Sequence, residues 1–196
     1  MKSRLRVPLV SSVALLFTLA CGSAISSVSA VAQMYRWDTT SVRPVMGVPT
    51  ITAGGNDFAL AVDSTTIHIR GTGTFGGTVP PTGGGIWETA GPSGTGSGHF
   101  TVTRLVSFVP APGMLTPAAA DTIGPKANAR AGLAVLRVSY SDGSTGTLTV
   151  SCELPVGSPS GIFEGITATK GYVDFFDRVP PVPGYPSNHT LFHIMP

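Results

Sequence analysis

Apolar and polar residues alternate strictly over 147–154, with Leu148, Val150, Cys152 and Leu154 on one face and Thr147, Thr149, Ser151 and Glu153 on the other. Period two is the signature of a half-buried β-strand. Past a Gly/Ser/Pro turn, GIFEGITATKGYVDFF is β-branched and aromatic, but Gly161, Gly165 and Gly171 interrupt it. Glycines at such positions bulge, coil or closely pack a strand and so curve its sheet. The same period appears over 66–75, where Ile67 and Ile69 oppose His68, Arg70 and Thr72 before the pattern dissolves at Gly76-Gly77. FALAV (58–62) predicts a strand ahead of the turn cluster Asp63-Ser64-Thr65. Residues 98–109 predict a long one, and 132–140, apolar on both parities, a central one. Ser141-Asp142-Gly143-Ser144 is a tight-turn signal, and TLFHI (190–194) predicts a last strand that closes the sheet.

The remaining segments carry weaker patterns. Residues 33–45 are polar and read as an edge strand or a loose opening segment. The Gly/Pro/Ser/Thr-rich stretch 76–98 reads as a surface loop anchored by Trp87 within the island Ile86-Trp87-Glu88. Four prolines and an alanine cluster make 110–130 a long crossover or lid with one helical turn at most. Seven or eight short strands without a long helix predict an all-β chain, as a single antiparallel β-barrel over 33–196 or, alternatively, a two-sheet β-sandwich.

The segment SPSGIFEGITATKGYV (158–173) resembles the G-S-G-I-F-E-G hairpin of the allene oxide cyclase barrels and, more loosely, the glycine-rich hairpin of the dirigent proteins. The resemblance covers about thirty residues and implies a barrel that shelters an apolar molecule without a redox cofactor. In those families the hairpin is largely architectural. Their catalytic acid aligns with no residue of this chain, so the resemblance implies no activity. GGGIWE (83–88) and TLFHI are also similar to segments of uncharacterised secreted bacterial proteins.

Residues 1–32 combine Lys2, Arg4 and Arg6, an apolar run from Val7 to about Ala20, and Ala30-Val31-Ala32 ahead of Gln33, the layout of a secretory signal peptide. This predicts a secreted or periplasmic protein with no membrane span. The alternative is a lipid anchor at Cys21, because Leu19-Ala20-Cys21 is similar to a lipoprotein box with its leucine one place out of register. Without the leader, the chain's 12 basic and 10 acidic residues become nine and ten. No basic patch remains for nucleic acid. Cys152 is then the lone cysteine, which excludes an internal disulfide and suits a buried thiol.

Candidate chemistry is sparse. Nucleophile elbows, paired metal-binding histidines, phosphate loops and paired cysteines are absent from the sequence, so no cofactor or metal is predicted. His68, His99, His189 and His193 suit surface or hydrogen-bonded structural roles, and Asn188-His189-Thr190 fits a glycosylation sequon for a eukaryotic secretory pathway. Arg104 interrupts the parity shared by Phe100, Val102, Val106 and Phe108, and Arg137 intrudes on a strand apolar on both faces. A guanidinium on an apolar face needs an anion. The candidate ligand-binding set is therefore Arg104 and Arg137 with Glu88 and Glu164, beside Trp87. It suits a structural ion-pair network or a cavity for a small apolar or carboxylate-bearing ligand. Two functions stay open: a non-catalytic binding or surface-interaction barrel, or a cofactor-independent cyclase, isomerase or hydrolase using the same cavity.

Overall fold

The computed structural model describes residues 33–182 and 185–196. The expected leader over 1–32 and the alternative anchor at Cys21 lie outside the described residues. Thirteen strands follow one another: β1 (Met34–Val45), β2 (Val48–Ala53), β3 (Asp57–Leu60), β4 (Thr66–Gly76), β5 (Thr82–Ala90), β6 (Gly96–Ala111), β7 (Ala120–Asp121), β8 (Ala129–Tyr140), β9 (Thr145–Cys152), β10 (Gly165–Lys170), β11 (Val173–Phe175), β12 (Asp177–Arg178) and β13 (His189–Ile194). A 3-10 turn at Lys126–Asn128 is the only helical element among the described residues. None of their helices is long and apolar enough to cross a membrane.

The chain is all-β, as its patterning predicts. Hydrogen bonding orders the strands β11-β10-β9-β8-β6-β5-β4-β1-β2-β7, antiparallel except where short β7 runs parallel to β2. The sheet is partly ring-closed, because β13 pairs with β1 from Tyr35 to Thr40 and also with β8 at Ala129 and Arg130. An aromatic cluster fills this seam. Phe108 on β6 has its ring centroid 4.6 Å from Tyr35, 4.9 Å from Phe75 and 5.1 Å from Phe192, so β1, β4, β6 and β13 meet in one packed contact.

The parity of β9 is as expected, with Leu148, Val150, Cys152 and Leu154 all buried. Residues 33–45 differ from expectation, since β1 lies centrally between β13 and the pair β2 and β4. Its polar residues Asp38, Thr39 and Thr40 are buried. Arg36 Nε and an Arg36 terminal amine each donate to a different Asp38 oxygen at 2.8 Å, while Thr39 Oγ1 donates to the Gly55 carbonyl at 2.9 Å and accepts from the Gly71 amide at 3.0 Å. Buried polar groups that find such partners escape most of the cost of leaving water.

The stretch 76–98 also differs: its middle, Thr82–Ala90, is β5, paired with β4 over nine consecutive positions. Its glycines face those of β4, with Gly85 opposite Gly71 and Gly83 opposite Gly73. They leave room for large rings. A Cβ on Gly71 would lie 2.8 Å from the Phe100 ring and 3.0 Å from Trp37, and one on Gly73 would lie 2.6 Å from Trp37 Nε1. Glycine here trades intrinsic strand preference for the burial of Trp37, which is wholly enclosed.

Two substitutions test this packing. Gly73→Ala should lower denaturant-unfolding stability by about 1–3 kcal/mol, the usual cost of overpacking. Gly161→Ala, whose Cβ would meet nothing within 4 Å, should shift it by less than about 0.5 kcal/mol.

Candidate functional site

Four segments converge on a cavity of about 450 Å³. The β1–β2 hairpin supplies Thr40, Val42, Pro49 and Ile51, and the 110–130 crossover supplies Leu115, Thr116 and Ala119. The β9–β10 connection adds Glu153, Leu154, Pro155 and Glu164, while β13 adds His189, Thr190 and Leu191, with Pro181 beside them. The walls are chiefly apolar, and the crossover expected as a lid forms one of them.

Glu164 organises the polar side. It ends the β9–β10 connection directly before β10, and its carboxylate reaches the ends of two other strands. Oε1 accepts from the Thr190 amide at 2.5 Å, and Oε2 accepts from the Glu153 amide. One side chain thereby supplies acceptors that a continuous ladder would otherwise provide. Thr190 Oγ1 donates to the Ser151 carbonyl at 2.6 Å, which binds β13 to β9 a second time. Behind this junction lies buried Asp57, whose Oδ1 accepts from the His189 amide at 3.0 Å and whose Oδ2 has no hydrogen-bond partner.

Burial dominates the electrostatics. It pushes the Glu164 carboxyl well above the usual range, the amides of Thr190 and Glu153 pull it back, and the charges of Asp57 and Glu153 push it further up. Asp57 is raised by the same loss of solvent, opposed by the backbone amides of His189 and Asn188. His189 is lowered by burial, which favours its neutral form. Burial, reinforced by Glu164, raises the Cys152 thiol and suppresses its thiolate.

Of the residues singled out from sequence, Glu164 alone reaches this cavity. Arg104 is exposed because β6 carries two register shifts, between Val102 and Arg104 and between Leu105 and Ser107. The first bulge turns Arg104 outward and brings Leu105 against the core; the second leaves Val106 exposed and returns Phe108 inward. Each inserted residue inverts the alternation that follows it. Arg137 is likewise exposed and lies directly opposite Arg104 in the ladder. Neither arginine forms an ion pair with Glu88 or Glu164 among the described residues. Glu88 is exposed, with Oε2 3.6 Å from His68 Nδ1. Trp87 is buried in the core, donates from Nε1 to the His99 carbonyl at 3.1 Å, and carries Lys170 Nζ 4.0 Å above its ring.

Sequence reasoning missed Asp57 and the cavity role of His189. The sequon asparagine, Asn188, is buried and accepts from the Phe58 amide at 2.8 Å, which leaves its side chain engaged within the fold. Among the described residues no group of three or more His, Cys, Asp or Glu side chains is disposed to hold a metal ion.

Two outcomes check this account. Arg104→Ala should leave the denaturant midpoint unchanged within error, as expected for an exposed residue without an ion-pair partner. The raised groups set a pH dependence. Asp57 and Glu164 hold protons more tightly when folded, so their contribution is complete below about pH 4, where unfolded carboxyls titrate, and is lost as pH rises through their folded values. His189 works oppositely, its contribution fading as pH falls through its lowered value, and Asp142, held at about 2 chiefly by Lys170, loses its own only in strong acid. Glutamine mimics the protonated carboxyl, so the stability of Glu164→Gln relative to wild type should improve steadily from pH 4 to pH 8 in urea titrations. A relative stability that falls with pH would contradict the raised Glu164. Compared with family models, with curated proteins and with solved structures, the chain gives no match.

Proposed function

We propose that this is a binding protein acting outside the cytoplasm, which holds a small ligand with an apolar body in the cavity between the β1–β2 hairpin, the crossover and β13. The observation carrying this reading is the cavity itself. At about 450 Å³ it falls in the usual size range of small-molecule sites, and it has apolar walls with polar groups gathered at Glu164, Thr190 and His189. A carboxylate-bearing ligand is the weaker alternative, since among the described residues the lining holds Glu153 and Glu164 but no Lys or Arg. Opposed charge is what favours one ionic partner over another.

A catalytic reading rests on one further observation. Glu164, raised, and His189, lowered, share this cavity, and environments that push two titratable groups apart are how acid and base roles are divided. A cofactor-independent isomerase, cyclase or hydrolase would use them for proton transfer.

Val42→Trp should fill the cavity from a strand position. It should abolish binding of a neutral apolar fluorophore such as N-phenyl-1-naphthylamine and leave the protein folded by circular dichroism. Unchanged probe affinity in a folded Val42→Trp protein would count against the site.

A further inference from the structure

We infer that the polar end of the ligand is an organic cation, an alkyl- or arylammonium group seated on the Glu164 carboxylate; this rests on the reading of the cavity as a ligand site. The argument begins with charge. Glu164 and Glu153 both face the cavity, Asp57 stands behind them, and among the described residues no Lys or Arg lines the space. Among the described residues the ion pairs engage Arg36, Lys170 and two histidines elsewhere, so none of these three acids has a cationic partner. Among the described residues the only basic side chain in the lining is His189, whose neutral form burial favours.

The geometry of Glu164 adds to this. Each of its oxygens accepts one backbone amide, and each carboxylate oxygen has capacity for a second donor. The carboxylate is thus fixed in place by the backbone with acceptor capacity left over at the cavity wall. An ammonium group brings three donors. One can meet Glu164, and the hydroxyls of Thr40, Thr116 and Thr190 are acceptors in the same lining. Such multiple bonding is what a desolvated cation needs to offset its lost hydration. Burial favours the protonated Glu164 carboxyl in the empty cavity, and an ammonium beside it would favour release of that proton, whereas an alcohol brings no opposite charge and a carboxylate would add a like one. A bare metal ion fits less well, because no ligand cluster suits it among the described residues and the apolar walls would have no occupant.

The deciding experiment compares three probes of one chain length, octylammonium, octanol and octanoate, each displacing N-phenyl-1-naphthylamine from the purified protein at neutral pH. Octylammonium should compete at a concentration about tenfold lower than octanol, as expected for a hydrogen-bonded charge pair in place of a neutral contact, and octanoate should be weakest. Glu164→Gln should bring octylammonium and octanol to within about threefold of each other, a gap under 1 kcal/mol, while octanol itself still binds. If octanol matches or exceeds octylammonium and Val42→Trp abolishes both, the cavity reading stands and the cationic head group is overturned. An ammonium preference that survives in Glu164→Gln overturns the assignment to Glu164. If no probe displaces the fluorophore, or Val42→Trp changes nothing, both readings fail. Should Glu164→Gln not fold, the wild-type order of the three probes decides the question alone.

Discussion

The Glu164 carboxylate, accepting the amides of Thr190 and Glu153, is the contact on which this end of the molecule depends. It joins the start of β10, the end of β9 and the body of β13, where no ladder runs among all three. A charged group makes this joint at a cost, since burial raises its pKa and the nearby acids raise it further. Against that cost stands the buried Thr190 amide, which without an acceptor would be about 1–3 kcal/mol unfavourable. A side chain bridging strands also leaves more space than a ladder would. Neighbouring strands in a ladder stand about 4.8 Å apart, whereas the segments around Glu164 spread far enough to enclose the cavity.

Packing at the seam uses other means. The Phe108 cluster with Tyr35, Phe75 and Phe192 packs the seam through aromatic rings. Facing glycines of β4 and β5 let Trp37 and Phe100 lie close to the backbone. The seam is therefore filled by rings, while the junction beside the cavity is held by the Glu164 carboxyl group. The partial character of the ring fits this division, since β13 meets β8 through only two residue pairs before β9 takes over the edge of β8.

What could be read from sequence follows from which signals are local. Strand β9, the 141–144 turn and the closing role of TLFHI were legible because alternation and turn chemistry act over a few residues. Strand β1 was not, because Asp38, Thr39 and Thr40 look like solvent-facing residues until their partners on distant segments are known. Strand β5 was hidden for a related reason, its glycines lying against backbone of β4 and β6 that the local pattern does not show. The arginine pattern failed most instructively. Arg104 seemed to break an apolar face, but two bulges had inverted that face on either side of it, and a bulge leaves no compositional mark in β6. Of the candidate site, Glu164 was found through its place beside a glycine turn, while Asp57 and His189 depend on long-range pairing that local pattern does not carry.

The crossover bears on how the cavity would work. Toward its far end Asp121 Oδ2 is hydrogen-bonded to His193 Nε2 at 2.8 Å, the two side chains being almost fully buried, and Asp121 Oδ1 accepts from the Ile123 amide at 2.9 Å. Thr122 Oγ1 donates to the Ile51 carbonyl at 2.9 Å, and β7 pairs along β2. At its near end, Met114 and Val156 exchange backbone hydrogen bonds at 2.8 and 3.2 Å. The wall formed by Leu115, Thr116 and Ala119 is thus tied to β13 and β2 on one side and to the β9–β10 connection on the other. A segment anchored at both ends has already lost much of the conformational freedom that binding would otherwise remove. The cavity is consequently preformed, and selectivity falls to the groups fixed within it. Among those groups Glu164 stands apart, because the same two amides that hold the strands together also fix the direction in which its remaining acceptors face.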